Sequence, residues 1–397
     1  MRWTAAWLCL LVACSEGDPL DPAERDLGTM DAGRHDQGRD LGGPADDGGG
    51  FMLPDMGPPP DPGAWSGLPP APEGSGRTNS IAVWGGGRVW IWGGTAATGV
   101  PSPAGLAFEP ATASWIVFPE GSGAGTRSPC VAWMGDRLFV AGAMGDAAHS
   151  AAIWDPATDT WTPLGSPPQD EVRSKPACVW TGREVLMWGG DAGGTGFAWN
   201  VEDQAWRAMA PLSGASDVYA VHGEWMGDEA AFIWGGSELV IYDPASDAWR
   251  RATLQGAPIP GQKSLAWTGD RLLVWGEAMT FFAFMSGGIY DPAEDSWTEM
   301  NRQHGLVPRT GFNMAWTGRE LLIWAGDEIG GQGRQFRNGA LYDPMSDDWR
   351  PIATEDAPAV RSFAVGVWTG SAFFYWSGST FGPLGNLYRN DGGRYFK

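Results

Sequence analysis

One tryptophan position repeats through this chain at intervals of 42 to 52 residues: Trp84, Trp133, Trp180, Trp225, Trp267, Trp316 and Trp368, each just before a turn. A second series follows polar turns, at Trp115, Trp161, Trp206, Trp249, Trp297 and Trp349, with Tyr395 in the seventh slot. A third precedes a small residue, at Trp92, Trp188, Trp234, Trp275, Trp324 and Trp376. With Trp65 these series hold every tryptophan after residue 63 except Trp90, Trp154 and Trp199. Self-similarity at such a period means stacked supersecondary units, none able to bury its apolar faces alone. The tryptophans are therefore periodic architecture, not an aromatic binding box.

The unit over 264–297 reads as four short strands. Ser264-Leu265-Ala266-Trp267 is followed by the hairpin turn Thr268-Gly269-Asp270, and Arg271-Leu272-Leu273-Val274-Trp275 returns. The return is apolar on successive residues, so both of its faces are expected to be buried. Gly288-Ile289-Tyr290 forms the third strand, and Asp291-Pro292-Ala293-Glu294-Asp295 turns into the fourth at Trp297. In that turn proline presets φ, and the Asp291 carboxylate can take a backbone N–H two residues on. Four antiparallel strands buried on both faces make the blade of a propeller.

The glycine pairs Gly93-Gly94, Gly189-Gly190 and Gly235-Gly236 end such hairpins, and Tyr-Asp-Pro turns stand at Tyr242, Tyr290 and Tyr342. In these features the chain resembles the kelch-repeat family. The resemblance covers residues 64–397 and implies an all-β, seven-bladed propeller of four-stranded antiparallel blades. The Tyr-Asp-Pro turn is degraded at Phe108-Glu109-Pro110, Trp154-Asp155-Pro156 and Trp199-Asn200-Val201, and nearly lost at Tyr388-Arg389-Asn390. With Tyr395 counted among fourth strands, Ala64-Trp65-Ser66-Gly67-Leu68 makes an eighth. The expectation is that the Trp65 strand supplies the outer strand of the last blade.

The N-terminus has a different character. Arg2 precedes an apolar run from Trp3 to Ala13, too short to span a bilayer and laid out as a secretory signal. Leu11-Val12-Ala13-Cys14 resembles the lipobox of bacterial lipoproteins. That resemblance implies a signal peptide over 1–14, lipidation of Cys14 and, since Ser15 follows, the outer membrane of a Gram-negative envelope. The stretch 15–63 holds 11 Gly, 8 Pro and 12 Asp or Glu against three Arg, almost without apolar residues, and reads as a disordered tether. The whole chain carries a formal charge of −21, which excludes nucleic acid, whose phosphates need clustered cations. The membrane is then reached through the lipid alone, by a monomer.

Candidate binding residues lie on one face. The loops joining a fourth strand to the next first strand carry Arg77, Arg127, Arg173, Arg309 and Arg361, six or seven residues before the hairpin tryptophan. By kelch analogy first strands line the central channel, so these cations would ring one mouth of it and suit carboxylate, sulfate or phosphate. The alternative is a clamp, each guanidinium holding backbone carbonyls or a neighbouring carboxylate. Loops joining second to third strands share that face; the fifth carries Phe281, Phe282 and Phe284 and the sixth Arg334 and Arg337. Exposed aromatics beside cations make a binding surface.

Signs of catalysis are few. The chain has four histidines, and His149, His222 and His304 occupy no common repeat position, so no metal or other cofactor is expected. Kelch-like copper oxidases that resemble galactose oxidase use two His, a Tyr and a Tyr–Cys crosslink, whereas Cys130 and Cys178 fall within first strands. Cys130 lies three residues before Trp133 and Cys178 two before Trp180, so the strand period points them to opposite faces and predicts two buried free thiols. The functional expectation is a binding module for a protein or glycan at the envelope. Its alternatives are a channel-centred enzyme on an anionic sugar, resembling sialic-acid mutarotases, and a structural lipoprotein.

Overall fold

In a computed structural model, the described residues are 63–397 apart from 100–104, 120–126, 144–148, 169–172, 174, 191–192, 217, 235–237, 279–283, 330–332 and 383–384. The signal segment, Cys14 and the acidic stretch up to residue 62 lie outside them. Seven four-stranded antiparallel sheets form a propeller. In order from the channel outward, blade 1 is Ile81–Gly85, Arg88–Trp92, Gly105–Glu109 and Ser114–Phe118; blade 2 is Arg127–Trp133, Leu138–Ala143, His149–Asp155 and Thr160–Gly165. Blade 3 is Ala177–Trp180, Glu184–Trp188, Gly196–Asn200 and Ala205–Ala208; blade 4 is His222–Trp225, Ala230–Ile233, Val240–Asp243 and Ala248–Arg251. Blade 5 is Lys263–Trp267, Leu272–Ala278, Phe284–Asp291 and Ser296–Glu299; blade 6 is Asn313–Trp316, Leu321–Trp324, Gly339–Asp343 and Asp348–Pro351. Blade 7 is Val365–Trp368, Ala372–Trp376, Gly392–Phe396 and, from the other end of the domain, Trp65–Gly67.

Each strand alternates its apolar residues between two neighbours, which is why second strands are apolar at every position. Leu272 and Val274 join a cluster with blade 4, whereas Leu273 and Trp275 join one with blade 6. The core is thus divided into seven apolar clusters, one between each pair of adjacent blades. Turn chemistry follows the sequence. The Asp243, Asp291 and Asp343 carboxylates each accept a backbone N–H two residues on, at 2.8–2.9 Å. Trp65 closes the ring as expected, pairing with Tyr395 in the register that joins Tyr242 to Trp249, Tyr290 to Trp297 and Tyr342 to Trp349.

That register corrects one assignment. Tyr395 is a third-strand residue, the counterpart of the Tyr-Asp-Pro tyrosines, and there is no eighth fourth strand among the described residues. The displacement arises because blade 7 inserts an extra hairpin, Ser379–Gly382 with Gly385–Tyr388, between its second and third strands. Tyr388 belongs to that hairpin.

The thiol expectation also fails: Cys130 and Cys178 form a disulfide, Cα atoms 5.4 Å apart. Their side chains do leave opposite faces of their own sheets. Blades, however, stack like pages in the same orientation, so the far face of blade 2 confronts the near face of blade 3, and Cys130 and Cys178 share that interface. Opposite parity in adjacent blades is therefore the condition for contact.

Polar chains tie the outer strands together. Arg207 bonds Glu184 of its own blade and Tyr242 of the next, and Arg250 repeats the pattern with Glu229 and Tyr290. Between blades 6 and 7 the C-terminal lysine takes part: Glu320 meets Arg350 at 2.9 Å and Lys397 at 2.7 Å.

Reducing the Cys130–Cys178 bond, which closes a 48-residue loop, should lower the unfolding free energy by up to ~4 kcal/mol. In the denatured 64–397 domain neither cysteine should be alkylated until reductant is added; two alkyl groups without reductant would refute the bond. Burial opposes ionisation of Glu320, but Arg350 and Lys397 outweigh it and hold the carboxyl at about 2, below its ordinary 4.5. A depressed acid stabilises the fold above its unfolded pKa and loses that contribution as pH falls, here from about 4.5 to about 2. Urea midpoints of the parent and Glu320→Gln should therefore converge across that window. A gap unchanged from pH 6 to pH 3 would contradict the assignment.

Candidate functional site

Four of the repeated arginines are buried clamps. Arg77, Arg173, Arg309 and Arg361 are 0–2 % exposed. Each donates from Nη1 to the carbonyl 16 residues on, Gly93, Gly189, Ala325 and Ser377 respectively, at 2.8–3.3 Å. That carbonyl directly follows the third-series tryptophan, so the guanidinium fastens the incoming loop to the end of the second strand. Arg77, Arg309 and Arg361 also donate from Nε to the carbonyl two residues back, at 2.9–3.0 Å. Of the two sequence readings, the geometry is that of the clamp. Arg127 starts the first strand of blade 2, and its side chain lies outside the described set.

Blade 5 lacks this arginine, and the sequence reading missed its substitute. Lys263 is buried and donates from Nζ to the carbonyl of Gly276, which follows Trp275, at 3.2 Å; it also bonds the Glu277 carbonyl and, at 2.9 Å, the Ser286 hydroxyl. Burial pushes its pKa down to about 7, with Glu277 opposing. The available signal was the rarity of the residue: Lys175, Lys263 and Lys397 are the only lysines in the chain.

The channel itself is narrow. First strands abut one another around the ring, as the kelch resemblance implies. The cavity among them, lined by Ile81, Cys130, Cys178, His222 and Leu265 among others, holds about 30 Å³. That is room for a few water molecules at most, against several hundred Å³ for a small-molecule pocket. His222 is its one histidine, and burial with nearby Lys175 pushes its pKa down to about 4, so it is neutral at physiological pH.

The opposite situation holds on the loop face. Of the seven large apolar residues exposed among the described positions, five sit on loops of this face: Tyr219, Leu254, Val307, Phe381 and Leu387. Phe381 and Leu387, 42 % and 58 % exposed, lie on the inserted hairpin of blade 7. Beside them in blade 6, Arg334 is exposed with its guanidinium over the ring of the buried Phe336, and Arg337 donates to the Thr354 carbonyl. The Gln335 carboxamide bridges the two blades, accepting the Phe381 N–H at 3.1 Å and donating to the Ser379 carbonyl. Phe281 and Phe282 lie outside the described residues, as does the side chain of Phe284.

No family model matches the chain, and no curated protein matches its sequence. Many solved structures share the fold. One is a fungal alcohol oxidase of the AA5 family in complex with copper, 13 % identical, with a TM-score of 0.64 over 85 % of this chain and 76 % of that one. The described residues do not fit a copper centre of that kind. The Cys130 and Cys178 sulfurs are joined to each other, and no three His, Cys, Asp or Glu side chains converge among the described residues. His222 is buried in the channel wall, and His304 packs edge-on against Trp275 and Trp349. The chain has the galactose-oxidase-like seven-bladed propeller fold, and its described residues do not assemble that donor set.

Removing a clamp strands several carbonyls at once. Arg361→Ala should cost ~3 kcal/mol or more of unfolding free energy, and Arg334→Gln less than ~0.5 kcal/mol. Chemical denaturation reads both; a neutral Arg361→Ala would show that the clamp carries no stability.

Proposed function

We propose that the protein is an exported, lipid-anchored binding module of the cell envelope, whose loop face engages a protein or glycan. The observation that carries this reading is the contrast between that face and the channel. Exposed apolar side chains gather on the loops, with Arg334 and Arg337 beside the Phe381 hairpin, while the cavity among the first strands holds about 30 Å³. Large exposed side chains collected on one face mark interaction surfaces, and a broad loop surface on a rigid scaffold suits binding. A pocket for turning over a sugar would need far more volume.

Export is supported by the disulfide, since such bonds persist in oxidising compartments. The lipobox-like Leu11–Cys14 segment and the acidic stretch after it supply the anchor and tether of this reading. Several acyl chains, as in the lipoproteins this segment resembles, give stable attachment where a single chain does not.

A photo-crosslinking residue at Phe381 should capture a ligand on intact cells, and one at Met345, exposed on the opposite face, should not. With the crosslinker moved to the neighbouring exposed Arg337, Phe381→Ser with Leu387→Ser should abolish capture and leave the melting temperature unchanged. Equal capture from both faces, or capture that survives the double change, would refute the assignment of the face.

A further inference from the structure

The clamps are not equivalent at their outer nitrogen. In blade 7, Arg361 Nη2 donates at 2.8 Å to the carboxylate of Asp391, a half-exposed residue. In blade 3, Arg173 Nη2 donates at 2.8 Å to the Thr195 hydroxyl. In blade 6 the corresponding side chain, Asn338, accepts from Nη1 through its Oδ1 instead, and Arg309 Nη2 is buried with no hydrogen-bond partner. A buried guanidinium N–H without an acceptor is costly, so such an atom calls for an explanation.

Charge at this place is uncompensated as well. All four acceptors of Arg309 are neutral: the carbonyls of Val307, Ala325 and Asn338, and the Asn338 amide oxygen. A second cation stands close by, because Arg309 and Arg334 both lie over the Phe336 ring, 4.3 and 5.2 Å from its centroid. Burial and then Arg334 push Arg309 down to about 10, so it stays charged at neutral pH. Burial and then the Arg309 charge hold His304 below its ordinary value. Blade 7 shows what completes the arrangement. Arg361 is as deeply buried as Arg309, yet a carboxylate from the solvent side reaches its Nη2.

We infer that blade 6 binds an exogenous carboxylate at Arg309 Nη2, in the place that Asp391 fills in blade 7, with Arg334 supplying the exposed second charge. The inference rests on the binding reading of the loop face and deepens it: the ligand carries a carboxyl group, as a uronic acid or a free organic acid does. A charge-assisted bond to a guanidinium is among the stronger polar contacts available to such a ligand.

The test is the melting temperature of the mature chain in sodium acetate, sodium galacturonate or neutral galactose, with chloride holding ionic strength constant. Both acids should stabilise the parent and galactose should not. Arg334→Gln should need ~10-fold more acid for the same shift, the equivalent of one charged contact. Asn338→Asp places the carboxylate within the chain, so this variant should melt higher than the parent and respond to neither acid. An unresponsive parent, a response to galactose as large as to the acids, or an Asn338→Asp variant that still responds like the parent would overturn the inference. Because small acids are the only probes, failure here leaves crosslinking from Phe381 standing as a separate result.

Discussion

The disc is held by one hydrogen bond repeated around its rim. Each outer-strand tryptophan donates its indole N–H to a carbonyl of the preceding blade: Trp115 to Pro69, Trp161 to Pro119, Trp206 to Leu164, Trp249 to Ala210, Trp297 to Thr253, Trp349 to Asn301 and Trp65 to Ala353, at 2.6–3.2 Å. Each acceptor lies three or four residues past the previous outer tryptophan, so the seven bonds form a closed circle. Singly such a bond contributes about 1 kcal/mol. Together they fix the spacing and tilt of neighbouring blades while apolar clusters fill the gaps between them. The requirement explains why these positions stay tryptophan where tyrosine and phenylalanine would bury comparable area: the donor must project from an indole edge to the next blade.

Within four blades a second device does at the top what tryptophan does at the rim. A loop crossing from an outer strand to the next inner strand brings carbonyls into a buried place, where each needs a donor. A guanidinium supplies several donors in one rigid fork, which is why arginine recurs there and why the 16-residue spacing to its acceptor is the same in four blades. Lys263 shows that the constraint is chemical. With fewer donors it still reaches the equivalent carbonyl, of Gly276, and the neighbouring Ser286 hydroxyl joins in.

Much of this was legible in the sequence because a repeat converts local signals into a global one. The Trp84, Trp115 and Trp92 series gave the blade count, the Tyr-Asp-Pro turn gave strand order, and Trp65 gave the closing strand. What escaped lies where information from one unit is insufficient. The parity argument for Cys130 and Cys178 was correct within each strand, but contact depended on how blade 2 faces blade 3. The misplacement of Tyr395 came from an inserted hairpin that offered Tyr388 at nearly the expected distance. The difference between Arg309 and Arg361 was invisible, because both match the same pattern and differ only in whether Asn338 or Asp391 stands opposite.

Departures from the repeat therefore carry more information about function than the repeat does. A residue needed in every blade is fixed by closure and burial, and a ligand rarely engages seven equivalent positions equally. The inserted hairpin, the exposed Arg334 and the missing carboxylate opposite Arg309 are each confined to blade 6 or 7, on one face. These are also the blades bound by the N-terminal closing strand, through Trp65 to Tyr395 and to the Ala353 carbonyl. The Trp65 strand enters from the face of the third-to-fourth-strand turns, where the Gly63 N–H bonds the Phe396 carbonyl. The strand that completes the circle therefore begins on the side opposite the Phe381 hairpin and Arg334.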